Sequence, residues 1–161
     1  MSNEFHVKIS DFFKQLGSSQ LMVLATSQDN KVTARMMSCV IIDGIIYFQT
    51  DRNSDKYKQL TENSNVALCI DNIQIEGVAS VHGSTLDARN KFFAESYEQH
   101  HKGSFDAFSS LPDTIMIKVI PLKITLWEYD GKRPYRTFFD LEKQTYLKEY
   151  YLTKEGSQNA R

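Results

Sequence analysis

Cysteine, proline and tryptophan are scarce in this chain. Two cysteines, three prolines and a single tryptophan stand among 161 residues. Cys39 and Cys69 both lie inside apolar, strand-like runs, where a free thiol behaves as a small hydrophobe, so neither a disulfide framework nor a thiol nucleophile is the reading. Charge of one sign is missing too. A net charge of −1 gives no long-range pull toward nucleic acid, and that partner class is excluded. No apolar run approaches the roughly 18–20 residues that a membrane span needs. The first residues, Met1 to His6, lack a basic segment followed by an apolar one, so no secretory signal is read and a cytoplasmic protein is the expectation.

What is present is ordinary for a soluble globular protein, with 41% hydrophobic and 24% charged residues. A chain of this size buries on the order of 70% of its extended surface, enough for a substantial core in one domain spanning residues 1–161.

Periodicity and turn chemistry supply the elements. Phe5, Ile9, Phe12, Phe13 and Leu16 share one helical face, and Gly17 suits the residue that ends it, predicting a helix over 4–16. Leu21 to Thr26 is a short continuous apolar run, read as a strand buried on both faces, and Gln28-Asp29-Asn30 turns it into a second strand over 32–42. Asp43-Gly44 then signals a tight hairpin into a third strand, 45–50. A helix over 54–62 precedes strands at 66–70 and 73–81, joined by Asp71-Asn72. Ser84-Thr85-Leu86-Asp87 resembles a capping box for a helix reaching about residue 99, with Leu86, Phe93 and Tyr97 on its apolar stripe. Residues 102–110 carry a further turn or two, and Pro112 resets the chain. A long extended stretch follows over 114–129, in which Pro121 marks a bulge, an edge or a break. A turn at 130–134 leads to a last short strand, 135–139, and the tail from Lys154 is polar enough to fray. The sum is α+β: an antiparallel barrel of six to seven strands with flanking helices.

The chemistry gathers in ARMMSCVIIDGIIYFQTDRNSDKYKQL. Arg35 falls on the opposite strand face from Ala34 and Met36, and Thr50 ends the next strand just before a helix start at Ser54. Hydroxyls, cations and free helix-start amides therefore converge, and Arg35, Thr50, Ser54 and Lys56 form a candidate pocket for a phosphate dianion. Lys56 in the first helical turn opposes the helix dipole by about 0.3–1 kcal/mol unless an anion offsets it, and Asp55 is a second group that could do so.

This constellation resembles the pyridoxamine 5′-phosphate oxidase-like, FMN-binding split β-barrels, including the short general-stress-type and nitroimidazole-resistance-type bacterial flavoproteins. The resemblance rests on Ala34-Arg35-Met36, Tyr47-Phe48-Gln49-Thr50, Ser54-Asp55-Lys56 with Gln59-Leu60, and Asn63 to Leu68. Pro121, followed six residues later by Trp127, is similar to the strand that carries a flavin-contacting tryptophan. The resemblance implies FMN as cofactor, a homodimer with flavin at the interface, and electron transfer from a reduced nicotinamide to a small organic acceptor. It implies cofactor contacts at Arg35, Met36, Met37, Gln49, Thr50, Ser54, Lys56, Asn72 and Trp127. Asp55 departs from the pattern, standing where the vitamer oxidases carry an arginine. The grip on the substrate phosphate and the C-terminal arginine-histidine segment have no match, Arg136 lying near but out of register, so oxidation of pyridoxamine phosphate itself is not the expectation. No catalytic acid or base is identified.

Other residues have plainer readings. His100-His101 lacks the companions of a metal site and reads as a solvated helix end. His82, after an extended run, is a structural histidine, with a face toward haem or flavin as its alternative. Lys132, Arg133, Tyr135 and Arg136 read as a solvated turn, and Glu76 as a surface carboxylate. A flavin or haem store or sensor without turnover is the alternative function, and a deazaflavin the alternative ligand.

Overall fold

Turn residues set the strand pairing. Asp29 and Asn30 take positive φ, 50° and 65°, and so do Asp43 and Gly44, 51° and 75°, the backbone that a two-residue hairpin loop of this twist requires. They link β1 (Ser19–Gln28) to β2 (Lys31–Ile42) and β2 to β3 (Ile45–Asp51). The computed structural model describes residues 3–152. Before these strands lies α1 (Asn3–Leu16), and after them α2 (Asp55–Glu62) and the hairpin of β4 (Asn65–Ile70) with β5 (Ile73–Ser84). A short 3-10 turn (Ala88–Asn90) enters α3 (Lys91–His100) and α4 (Lys102–Phe108). β6 (Thr114–Asp130), β7 (Arg133–Asp140) and β8 (Thr145–Tyr150) complete the described chain.

The strands run in the order β3-β2-β1-β4-β5-β6-β7-β8, and β3 also pairs with β6. That extra pairing closes the first six strands into an antiparallel barrel, which β7 and β8 extend as a flange. The expected α+β split barrel is therefore the observed fold. Sequence reading had no strand at β8, whose six residues include none that is fully buried and so carry little apolar periodicity.

Inward positions of every barrel strand supply the core: Met22, Leu24, Cys39, Phe48, Leu68, Ile75, Ile117, Val119 and Ile124 are almost completely buried. Each such side chain larger than Cys39 contributes about 1.5–3 kcal/mol on leaving water. At one end α1 inserts Phe5 and Phe12 against Phe139, with ring centroids 6.3 and 6.0 Å apart. At the other end α2 buries Leu60. Outside the barrel, Phe93 and Tyr97 of α3 cover Val40, Tyr47 and Met116.

Two local expectations change. β1 is buried on one face only: Met22, Leu24 and Thr26 point inward, whereas Leu21 is 56% exposed, because among the described residues no helix covers the outer face there, and α3 reaches β2 only farther along, at Val40. Val32 and Met36 share that uncovered face, 70% and 60% exposed. The Ser84 capping box does not form either. Pairing with Ile115 keeps Ser84 in β5, so Asp87 caps the 3-10 turn by accepting the Arg89 amide at 2.9 Å, and Leu86 is exposed, off the buried stripe. Pro121 does lie at a bulge, opposite Gly77, where the β5–β6 register shifts. The tail from Lys154 lies outside the described residues.

Candidate functional site

The α2 end of the barrel carries a network built on Arg35. Inward alternation along β2 places Arg35 opposite Leu24 and Thr33 opposite Thr26. Arg35 Nη1 donates to Thr26 Oγ1 at 2.8 Å and to the Leu24 carbonyl at 3.3 Å, and Nη2 donates to Thr33 Oγ1. Both threonine hydroxyls in turn donate to Gln59 Oε1 of α2. The guanidinium is thus held by two strands and a helix. Sequence reading assigned no role to Thr26, Thr33 or Gln59, although Thr33, two residues before an inward arginine and so on the same strand face, was a readable sign of a polar barrel end.

Beside this network Thr50, 6% exposed, is the next-to-last residue of β3, and Ser54 caps α2. Ser54 Oγ donates to the Asp51 carbonyl at 2.7 Å and accepts the Tyr57 amide at 3.3 Å. Lys56 Nζ donates to Thr50 Oγ1 at 3.1 Å. Lys56 is held below the ordinary lysine pKa by burial and then by the charge of Arg35, with Asp51 and Asp55 opposing. Burial likewise lowers Arg35, and Asp55 opposes. Two cations therefore share one mouth, and neither pairs with a carboxylate among the described residues. Like charges held together beside hydroxyls and a helix start are an arrangement that an anion relieves.

The other sequence-derived residues are not all at this mouth. Met37 packs inward against the core, and Met36 points outward. Gln49 alternates to the opposite face from Thr50 and is buried, its Oε1 accepting from Thr85 and Ser109, both at 2.9 Å, while its Nε2 has no partner. Asn72 and Trp127 meet each other at the α1 end: Asn72 Nδ2 donates to the Trp127 carbonyl at 2.7 Å. Arg35 and Leu68 share Leu24 as strand partner, and Asn72 lies four residues past Leu68, so the two clusters are roughly 13 Å apart along the strands. A cleft of about 520 Å³ opens at that end, lined by Lys8, Gln20, Asn72, Glu128, Tyr135 and Lys148. Arg136, out of register by sequence spacing, sits directly opposite Trp127 on the paired strand and ion-pairs with Glu149 at 3.0 Å.

The remaining candidates are dispersed. His101 Nε2 bonds the Cys39 carbonyl at 2.8 Å, His100 is exposed, and no group of metal-ligating side chains gathers among the described residues. His82 is exposed, with Nε2 2.8 Å from Ser80 Oγ. Lys132, Arg133 and Arg136 do not form one patch: Arg133 lies 3.8 Å over the Tyr150 ring, whereas Arg136 turns to the other sheet face, over Tyr151. Glu76 is exposed. Burial pushes the Cys39 thiol up to about 12, so it is neutral and inert, and Cys69 is exposed on the uncovered outer face. Among the described residues no helix is long and apolar enough to cross a membrane.

A closed antiparallel barrel with a flange, end-capping helices and a cationic mouth defines the chain as a split β-barrel. Residues 8–128 match the pyridoxamine 5′-phosphate oxidase family, and the chain belongs to it. Similar solved structures include general stress protein 26 of Bacillus anthracis, 24% identical over 84% of this chain and 99% of that one, with a TM-score of 0.57. A pyridoxamine 5′-phosphate oxidase-related, FMN-binding protein of Nostoc punctiforme is 15% identical over 82% of this chain and 86% of that one, TM-score 0.56. The haem storage protein HutZ of Vibrio cholerae is 14% identical over 73% and 89%, TM-score 0.57. At these identities the likeness is one of fold. No curated protein matches the chain by sequence.

Proposed function

We propose that this chain is an FMN-binding oxidoreductase that passes electrons from a reduced nicotinamide to a small organic acceptor. One observation carries the reading: Arg35 and Lys56 are gathered at one barrel mouth with the Thr50 and Ser54 hydroxyls and, among the described residues, no carboxylate paired to either cation. The donor set suits a phosphate monoester, whose oxygens accept charge-assisted hydrogen bonds from both cations. When bound, the flavin supplies the redox chemistry, and the chain supplies binding, orientation and electrostatics. Arg35, already fixed by Thr26 and Thr33, would present its charge without further ordering, and Ser54 would keep the start of α2 aimed at the phosphate. Asn72 and Trp127 belong to the ring end of the nucleotide.

Their separation from Arg35 within one chain supports a homodimer. The uncovered outer face of β1 and β2, with Leu21, Val32 and Met36 exposed, is apolar enough to be an interface. An isologous pairing through that face would bring the Asn72–Trp127 end of one copy toward the Arg35–Lys56 mouth of the other, with the flavin between them. Purified protein supplied with FMN is expected to turn yellow and to quench flavin fluorescence; failure of both overturns the reading. Competition with a deazaflavin identifies which of the two flavins the site takes.

A second reading is a flavin or haem store or sensor without turnover, supported by the likeness to HutZ and by the exposed imidazole of His82. A Soret band lost in His82→Ala supports its haem form, and steady NADH or NADPH oxidation by flavin-loaded protein counts against it.

A further inference from the structure

We propose that Asp113 is a positioning residue for the barrel mouth: it holds the loop before α2, so that the α3–α4 segment fixes where Ser54 presents the helix start to a phosphate. The role rests on the flavin reading above. The loop between β3 and α2 is Arg52, Asn53 and the cap Ser54. Asp51 folds it from within: its carbonyl accepts the Ser54 amide at 3.1 Å and Ser54 Oγ at 2.7 Å, and its Oδ1 accepts the Asn53 amide at 2.6 Å. Asp113, 60 residues past Asn53, holds it from outside. The Asp113 carbonyl accepts the Arg52 amide at 2.9 Å, and its Oδ2 accepts Asn53 Nδ2 at 3.2 Å. The Asp113–Arg52 ion pair, 3.9 Å long and half-exposed, adds little, so the two hydrogen bonds set the geometry.

Asp113 is itself held in place. It sits in a tight turn in which the Phe108 carbonyl accepts the Leu111 amide at 3.0 Å and Thr114 Oγ1 at 2.7 Å, the Leu111 carbonyl accepts the Thr114 amide at 3.2 Å, and Pro112 locks one φ. Ser109 enters that turn, and with Thr85 it donates to Gln49 Oε1, all three side chains being buried. The α3–α4 segment is thus closed at both ends on the residue next to Thr50. Gln49 and Asp113 flank the turn from Thr50 to Ser54, whose hydroxyls lie 3.3 Å apart at the mouth. A carboxylate repels a dianion, so any gain in phosphate binding that Asp113 brings comes through position and not through charge.

The test is Asp113→Ala and Asp113→Asn in the full chain, each titrated with FMN and, separately, with riboflavin, which lacks the phosphate. Asp113→Ala is expected to bind FMN roughly two- to tenfold more weakly, the worth of one lost hydrogen bond, with riboflavin affinity unchanged. Asp113→Asn keeps an acceptor for Asn53 and is expected to match the parent chain. In flavin-free protein, amide hydrogen exchange over residues 52–57 should quicken in the alanine variant alone. Thermal melting checks that both variants are folded. FMN affinity unaltered or raised in folded Asp113→Ala, a loss equal for both flavins, or an equal loss in Asp113→Asn overturns the positioning role while leaving the flavin reading intact. A parent chain that binds neither flavin overturns both.

Discussion

Asn72 and Trp127 bond to each other twice: the Asn72 side-chain amide donates to the Trp127 carbonyl at 2.7 Å, and the Trp127 amide donates to the Asn72 carbonyl at 3.2 Å. The β4–β5 turn is thereby tied to β6 at the position of the single tryptophan. Asn72→Ala removes one of the two bonds at an exposed site, a loss of about 0.5–1.5 kcal/mol. Chemical denaturation should show that loss together with a shift in tryptophan emission. An unmoved emission spectrum would mean that the side-chain bond does not position Trp127.

Arg35→Ala and Lys56→Ala each delete a cation from the barrel mouth. Loss of a charge-assisted hydrogen bond of about 1.5–3 kcal/mol corresponds to roughly tenfold to a hundredfold weaker FMN binding. Riboflavin should lose far less. Equal FMN affinity in both variants, measured by fluorescence quenching, removes the phosphate assignment.

Met36→Asp places a charge in the middle of the uncovered outer face without touching the barrel interior, since Met36 is 60% exposed. Under the homodimer proposed above, sedimentation should show a dimer for the parent chain and monomers for the variant, and FMN binding should fall with dimerisation. A dimer that persists in the variant moves the interface elsewhere.

Gly77→Ala tests the bulge opposite Pro121. A Cβ at Gly77 would approach the Ile120 carbonyl oxygen to 2.7 Å and Val119 Cγ1 to 2.8 Å, so the β5–β6 ladder must shift. Overpacking of this kind costs about 1–3 kcal/mol, seen as a lower urea midpoint at unchanged slope.

Asp87 provides a pH test. Arg89, through side-chain and backbone hydrogen bonds, holds the Asp87 carboxyl down at about 2, against an ordinary 3.8. A depressed carboxyl stabilises the fold above its unfolded value and loses that contribution as pH falls through the folded one. Asp87→Asn keeps the cap but not the charge. Its stability gap from the parent should therefore be full above about pH 4 and close toward about pH 2 in acid titrations followed by circular dichroism.

The barrel was legible because its hairpins are encoded locally. Asp29-Asn30, Asp43-Gly44 and Asp71-Asn72 each punctuate apolar runs, and all but Asn72 of these residues take positive φ in the fold. The Arg35, Thr50, Ser54 and Lys56 group was legible for a similar reason: hairpin register and a helix cap fix it within about twenty residues of chain, and the structure brings it together. Gln49 shows where such reasoning stops. Its neighbour Thr50 faces the mouth, but the amide of Gln49 is used by Thr85 and Ser109, 36 and 60 residues away in sequence.

By itself, the sequence determined the turns, the strand alternation, the helix cap at Ser54 and the presence of two cations near it, because each depends on residues a few positions apart. Tertiary structure alone decided that β3 pairs with β6 to close the barrel, that Gln59 holds the threonines which hold Arg35, and that β1 is bare on its outer face. It also put Arg136 opposite Trp127 and the Asn72–Trp127 pair far from Lys56. These relations join segments distant along the chain, so they follow from which surfaces can be buried together, and no local pattern of side chains encodes them.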